Sequence, residues 1–137
     1  MKVLVATDGS ERAMKAVRKS LELAEKEGAD ITLLSVAYYF MSEVDEMPVD
    51  IQEALDSESR TAIEKAKALF DEKGVKVITL LEKGLVPANV ILEVAEEGKF
   101  DHILLGSTGK TGIKRYLIGS TATKVVAHAP CSVTVLR

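Results

Sequence analysis

The sequence is poor in the residues that build disulfide frameworks and stacking surfaces. It has no tryptophan, one cysteine and only 4% aromatic residues. The single thiol, Cys131, cannot form a disulfide within the chain or a metal site built on several thiolates. Such cysteine usage favours a reducing compartment, so we expect a cytoplasmic protein. With few aromatic side chains, the chain has little on which to stack the bases of single-stranded nucleic acid.

A basic excess and long apolar runs are also missing. The chain carries 18 Lys and Arg against 21 Asp and Glu, a formal net charge of -3. Without surplus positive charge to neutralise a phosphate backbone, we predict no nucleic-acid partner. The apolar run in the opening MKVLVATDGS is too short for a signal peptide, and no later run would span a bilayer, so we expect no membrane association.

What the chain does contain is enough apolar sequence for one domain covering residues 1–137. We predict strands at 2–6, 31–37, 75–81, 102–106 and 132–136. The first, second and fourth are almost continuously apolar, which is typical of strands buried on both faces of a parallel sheet. The third alternates and is predicted to lie nearer an edge.

Four helical segments separate these strands. The first is predicted between an N-cap at Ser10 and a stop at Gly28, and the second over about 49–73. The third has Pro87 in its first turn, and the last covers about 119–128. The core face of the second is expected to carry Ile51, Leu55, Ala62, Ala66 and Leu69. The strand–helix alternation predicts an α/β fold, an open parallel sheet with helices on both faces.

Two polar loops are predicted to meet at one end of this sheet. In open α/β sheets, ligands bind beyond the carboxyl ends of the strands, where the strand order reverses. If the first strand is central, that point lies between the TDGS loop after the first strand and the GSTGKTG loop after the fourth. Asp8 in the first loop would then contact a ligand, or alternatively cap the following helix.

The segment GSTGKTGIKRYLIGST, residues 106–121, favours a phosphate-bearing ligand. Its glycines allow sharp turns and close approach, and successive backbone N–H groups can form an anion-binding concavity. Gly119, Ser120 and Thr121 begin a helix, whose N-terminus attracts phosphate. Lys110 would contact phosphate or stay solvated. A P-loop is excluded, because Leu104 stands where that motif needs its first glycine.

The spacing Gly106-x2-Gly109-x9-Gly119-Ser120 resembles the nucleotide-binding pattern of the universal stress protein family. Three further segments are similar to blocks of that family: VLVATDGSERAMKAV at the start, GLVPANVILEVAEE after the third strand, and CSVTVLR at the close. The resemblance therefore extends over the whole chain. It departs at Ala6, where family members often have proline.

The resemblance implies a five-stranded parallel sheet of order 3-2-1-4-5, Rossmann-like and of the adenine nucleotide alpha hydrolase type. It also implies binding of ATP or another adenine nucleotide, with Mg²⁺ or Mn²⁺, and a homodimer formed through the last strand, 132–136. Base and ribose contacts are implied at Ala6, Thr7, Asp8 and Val36. Phosphate-side contacts are implied at Gly106, Ser107, Thr108, Gly109, Lys110, Thr111, Gly119, Ser120 and Thr121.

These residues favour binding over chemistry. Hydrolysis of ATP needs a positioned base and help for the developing charge. Asp8 is a candidate metal or ribose contact, but no second carboxylate is placed on the phosphate side, and we assign no catalytic residue. Glu43, Asp45 and Glu46 lie in the long 38–50 loop, either a lid or interaction loop or a plain surface connection. We expect a dimeric stress-response or signalling module with little or no hydrolysis. The alternatives are a slow or partner-dependent ATPase and a scaffold without ligand.

Overall fold

Strands and helices alternate through the part of the chain that the computed structural model describes, residues 1–39, 48–108 and 118–137. In chain order the elements are β1 (Lys2–Ala6), α1 (Glu11–Glu27), β2 (Asp30–Tyr38), α2 (Val49–Glu72), β3 (Ile78–Gly84), α3 (Pro87–Glu97), β4 (His102–Gly106), α4 (Ser120–His128) and β5 (Ser132–Leu136). The predicted bounds of β1, β4 and β5 are confirmed.

The strands form one parallel sheet of order β3-β2-β1-β4-β5, which confirms the predicted topology. β1 is central, pairing with β2 from Lys2↔Asp30 and with β4 from Val3↔His102. The crossovers place α1 and α2 over one face and α3 and α4 over the other. The carboxyl ends of β1 and β4 therefore lie side by side.

Each face of the sheet has its own hydrophobic core. On the α1 and α2 side, Val3, Val5 and Leu104 pack with residues such as Val17 and Phe70. On the α3 and α4 side, the core is formed by Leu4, Leu34, Ala88, Ile91, Ala95, Phe100, Ile103, Leu105, Ala122 and Val125. Strands buried on both faces explain why β1, β2 and β4 read as continuous apolar runs.

Local signals set the ends of α1. The Ser10 hydroxyl accepts a hydrogen bond from the Ala13 N–H at 3.3 Å, so Ser10 is the N-cap, as predicted. Gly28 adopts the left-handed conformation, φ 68°, and its N–H bonds to the Ala24 carbonyl, which ends the helix. Proline at the first position of α3 also agrees with the expectation.

Some bounds differ from the sequence expectations. β2, Asp30–Tyr38, is one residue longer at each end than predicted. β3 covers Ile78–Gly84 rather than 75–81, because its pairing with β2 runs from Thr32↔Ile78 to Tyr38↔Gly84. On α2, Ile51 is 49% exposed, whereas Ile63 and Phe70 are buried. A helix of 24 residues is about 36 Å long and overhangs the sheet, so its first turns have no core to cover. Within the described ranges, no helix is both long and apolar enough to cross a membrane.

Candidate functional site

A cavity of about 400 Å³ opens at the carboxyl ends of β1 and β4, on the face of the sheet that α3 and α4 cover. This volume lies within the roughly 300–1,000 Å³ typical of small-ligand pockets. Its position is the one that strand-order reversal predicts. The loop after β1, the loop after β4 and the start of α4 each supply part of its wall.

The cavity gathers every described residue that the sequence analysis assigned to the site. These are Ala6, Thr7, Asp8, Val36, Gly106, Ser107, Thr108, Gly119, Ser120 and Thr121. The other three candidates, Gly109, Lys110 and Thr111, lie outside the described residues. So do the loop carboxylates Glu43, Asp45 and Glu46.

Six further wall residues were missed by the sequence analysis. They are mostly apolar: Ala13, Leu34, Pro87, Ile91, Leu105 and Ala122. Strand alternation was the available signal, because Leu34 and Leu105 share the α3 and α4 face with Ile91. The sequence does not reveal on which face of the sheet a crevice opens, so it does not distinguish such wall residues from core residues.

Backbone hydrogen bonds connect the residue after β4 to the end of β5 and to the start of α4. The Ser107 N–H donates to the Leu136 carbonyl at 2.7 Å, and the Ser107 carbonyl accepts from the Gly119 N–H at 2.6 Å. The Ser107 side chain is 1% exposed, and its hydroxyl has no hydrogen-bond partner among the described residues. Because buried polar groups are nearly always satisfied, a hydroxyl in this position beside the cavity is a candidate to hydrogen-bond a ligand that enters it.

The start of α4 offers further donors. Gly119 is its N-cap and supplies no side-chain oxygen to the first turn. The N–H groups of Ser120, Thr121 and Ala122 precede the first helical bond, from Thr123 N–H to the Gly119 carbonyl at 3.0 Å. All three residues line the cavity. This wall therefore presents donors and the positive end of a helix dipole, which suit an anionic group.

The turn after β1 is held by its own side chains. Asp8 Oδ1 accepts a hydrogen bond from the Ser10 N–H at 2.9 Å, and Thr7 Oγ1 accepts from the Gly9 N–H at 3.2 Å. Asp8 thus closes a turn that precedes α1, and the helix is capped by Ser10 rather than by Asp8, the alternative raised from the sequence. The residue is half-buried and also lines the cavity, so its position suits ligand contact as well.

Gly106 is glycine for a reason that the sequence analysis did not anticipate. A Cβ atom there would lie 2.8 Å from both the Ala13 nitrogen and the Arg12 carbonyl carbon, closer than real contacts allow. The N-terminal turn of α1 therefore packs directly on the end of β4. At Gly119, a Cβ would meet the Ser107 carbonyl oxygen at 3.3 Å, which is tight but less severe.

The charged groups around the cavity are few. Asp8 is the one carboxylate among the described lining residues, and they include no lysine or arginine. Arg12 lies just outside, and its guanidinium donates a hydrogen bond to Thr108 Oγ1. The sequence analysis missed Arg12. No cluster of three or more His, Cys, Asp or Glu that could hold a metal ion occurs in the described ranges.

The chain is similar in sequence to universal stress proteins. The model of the universal stress protein family matches residues 1–137. Universal stress protein MJ0531 of Methanocaldococcus jannaschii is 36% identical over 141 residues, covering 99% of this chain and 81% of that protein.

Solved structures share the fold. The hypothetical protein MJ0577, a test case for structure-based assignment of biochemical function, is 29% identical with a TM-score of 0.84, covering 98% of this chain and 94% of that one. The universal stress protein from Archaeoglobus fulgidus, solved in complex with dAMP, is 22% identical with a TM-score of 0.73, covering 100% and 98% of the two chains.

Proposed function

The chain belongs to the universal stress protein family, and we propose that it binds an adenine nucleotide, ATP foremost, in the cavity beside β1 and β4. We further propose that nucleotide occupancy regulates a cytoplasmic stress-response or signalling module. The observation that carries the proposal is the division of the cavity wall. One part is apolar, and the other presents hydrogen-bond donors that lack a partner among residues 1–39, 48–108 and 118–137.

The apolar part suits a base. Leu34 and Val36 from β2, Ile91 and Pro87 from α3, and Leu105 from β4 contribute to it. A planar heteroaromatic ring buries apolar surface against such side chains while backbone groups at strand ends satisfy its edge. The complex of the Archaeoglobus fulgidus relative with dAMP supports an adenine nucleotide as the ligand class.

The polar part suits phosphate. It combines the Ser107 hydroxyl, which lacks a described partner, with the first-turn N–H groups of α4. Each can donate, and phosphate oxygens only accept. A phosphate here would satisfy donors that are otherwise buried or poorly solvated, which is the source of affinity that we propose.

A divalent cation would fit this site only together with the nucleotide, whose phosphate oxygens would serve as further ligands. Asp8 is the single described carboxylate on the wall, so Mg²⁺ or Mn²⁺ would take Asp8 and phosphate oxygens as its ligands. Bound there, the cation would neutralise phosphate charge. Asp8 Oδ1 already accepts from the Ser10 N–H, which orients the carboxylate for such a contact.

We propose little or no intrinsic hydrolysis. Phosphoryl transfer needs an oriented nucleophile and cationic groups on the transferred phosphoryl. The described wall offers one carboxylate and no lysine or arginine. A slow or partner-dependent ATPase is the alternative, and it would depend on Asp8 as the one candidate base among the described wall residues. Steady turnover abolished by Asp8→Ala would favour that alternative.

A homodimer through β5 is also proposed. β5 lies at one edge of the sheet, and Val133, Val135 and Leu136 are only half-buried. Open edges tend to be paired or covered. Pairing with a second copy around a two-fold axis would cover this edge and close the assembly.

The test of nucleotide binding uses two matched substitutions on α4. Ala122 is 2% exposed and lines the cavity, whereas Ala127 is exposed. We expect Ala122→Leu to weaken ATP binding by more than about tenfold, because the added carbons occupy the cavity or push its wall. Ala127→Leu should bind like the wild type.

Isothermal titration calorimetry measures both variants, with melting temperature as the check on folding. ATP affinity unchanged in a folded Ala122→Leu protein would place the nucleotide elsewhere. A wild-type chain that neither binds ATP nor gains melting temperature from it would remove nucleotide binding altogether and favour the ligand-free scaffold.

A further inference from the structure

We propose that Arg12 is a positioning residue for the nucleotide: its guanidinium holds Thr108 so that the threonine hydroxyl donates to the first phosphate. The inference rests on the proposed function and concerns a residue outside the cavity wall. It is carried by the Arg12–Thr108 hydrogen bond, the place of Thr108 beside α4, and the donor chemistry of that wall.

The contact between Arg12 and Thr108 joins two distant parts of the chain. Arg12 is the second residue of α1, half-buried, and Thr108 follows β4 by two residues. The close packing of α1 on Gly106 brings them together, since no Cβ separates the helix from the strand end. This packing fixes the backbone of Arg12 beside the end of β4, from where its guanidinium reaches Thr108.

The direction of this hydrogen bond leaves the Thr108 hydroxyl proton available to donate to a ligand. Arginine has donors only, so Thr108 Oγ1 must be the acceptor. The hydroxyl keeps one proton, and within the described ranges it makes no other hydrogen bond. A hydroxyl that accepts from a cation also becomes a better donor, because hydrogen bonds in a chain polarise one another. It therefore suits an acceptor oxygen, and above all an anionic one.

Thr108 is placed where an anion would lie. It is 8% exposed and lines the cavity. Its Cα is 3.5 Å from the position of a Cβ at Gly119, so it sits against the start of α4. The neighbouring Ser107 hydroxyl is independently short of a partner among the described residues. Ser107, Thr108 and the first residues of α4 thus line the same cavity, and Thr108 lies beside the start of α4, where hydrogen-bond donors suit a phosphate.

Helix stability does not account for arginine at this position. A cation in the first turn opposes the positive end of the helix dipole. The α4 N-terminus, also at this cavity, adds positive potential of its own. The hydrogen bond to Thr108 is the described contact that accounts for an arginine here, as expected of a residue that positions Thr108.

The experiment is a double-mutant cycle read with three ligands. Arg12→Met, Thr108→Val and the double variant are titrated with adenosine, AMP and ATP by calorimetry. Arg18→Met is the matched control, because Arg18 is exposed on the same helix and loses the same charge. Melting temperatures without ligand show whether each variant is folded.

We expect Arg12→Met to weaken AMP and ATP by the same factor, roughly three- to tenfold, the worth of one hydrogen bond. Adenosine affinity should not change, whereas a general disturbance of the loop would lower it as well. In the Thr108→Val background, Arg12→Met should cost nothing further. Arg18→Met should bind all three ligands like the wild type.

Other results overturn the inference while leaving nucleotide binding intact. A loss that persists in the Thr108→Val background, or that grows from AMP to ATP, would mean that Arg12 touches phosphate itself. Unchanged ATP affinity in Arg12→Met or in Thr108→Val would remove the role, as would an equal loss for adenosine. Absence of ATP binding in the wild type would instead refute the proposed function, and this inference with it.

Discussion

Substituting alanine for Gly106 should destabilise the protein by moving a helix. The new Cβ would lie 2.8 Å from two backbone atoms of α1, whereas ordinary contacts begin at 3.4 Å. Neither atom belongs to a side chain that could swing aside, so α1 must shift by more than about half an ångström against a packed sheet. Overpacking of this kind costs about 1–3 kcal/mol.

The matched control is Gly119→Ala, in the same glycine pattern. Its Cβ meets the Ser107 oxygen at 3.3 Å, which needs only a small adjustment. Both glycines have negative or otherwise unstrained φ, so alanine would by itself stabilise each by about 0.4–1 kcal/mol through the unfolded state. The difference between the two variants therefore isolates the clash with α1.

Thermal unfolding without nucleotide measures the effect. For a chain of this size, 1 kcal/mol shifts the melting temperature by about 3 °C, so Gly106→Ala should melt about 3–9 °C lower than Gly119→Ala. Gly119→Ala should stay within about 3 °C of the wild type. If Gly106→Ala melts no lower than Gly119→Ala, the packing of α1 on β4 does not explain the glycine.

Three further outcomes follow from charge and exposure. Burial raises the pKa of the Cys131 thiol, so iodoacetamide should alkylate it at pH 7.5 more slowly than the same thiol in guanidinium; equal rates would contradict this. A hydrogen bond from Gln52 lowers the pKa of Asp56 in the folded protein. The ionised carboxylate therefore stabilises the fold at pH values above the unfolded pKa of about 3.9, and this stabilisation is lost as the pH falls through the folded pKa. Urea unfolding should show wild type and Asp56→Asn converging in stability below about pH 4, and a constant difference would refute this. Val135→Lys should sediment as a monomer and Val49→Lys, exposed on α2, as a dimer; a wild-type monomer at micromolar concentration would remove the dimer.

Much of the fold could be predicted because its main signals are local. β1, β4 and β5 are apolar runs that turn residues delimit, and Ser10 and Gly28 delimit α1. β3 could not be placed as well, because pairing decides where an edge strand begins. Its segment VKVITLLEKG has strand-forming residues on both sides of Ile78, and only the facing residues of β2 select Ile78–Gly84. The core face of α2 likewise depends on how far a long helix overhangs its sheet.

The site was predictable to the extent that its groups belong to loops. Polar residues after β1 and β4 had to meet once the strand order was set. The apolar wall could not be found in this way, because a leucine in a strand looks the same whether it faces a helix or a cavity. Arg12 and the true neighbour of Gly106 were hidden for a related reason. Both are settled by a contact between residues almost a hundred positions apart, which no local pattern encodes.

The central place of β1 also dictates when the cavity can come into being. β1 precedes its partner β4 in the chain, and the two pair from Val3↔His102. Until β4 and α4 have been synthesised and packed, one edge of β1 stays unpaired and the cavity lacks part of its wall. The proposed nucleotide would therefore stabilise only a nearly complete domain and would not act on shorter folding intermediates.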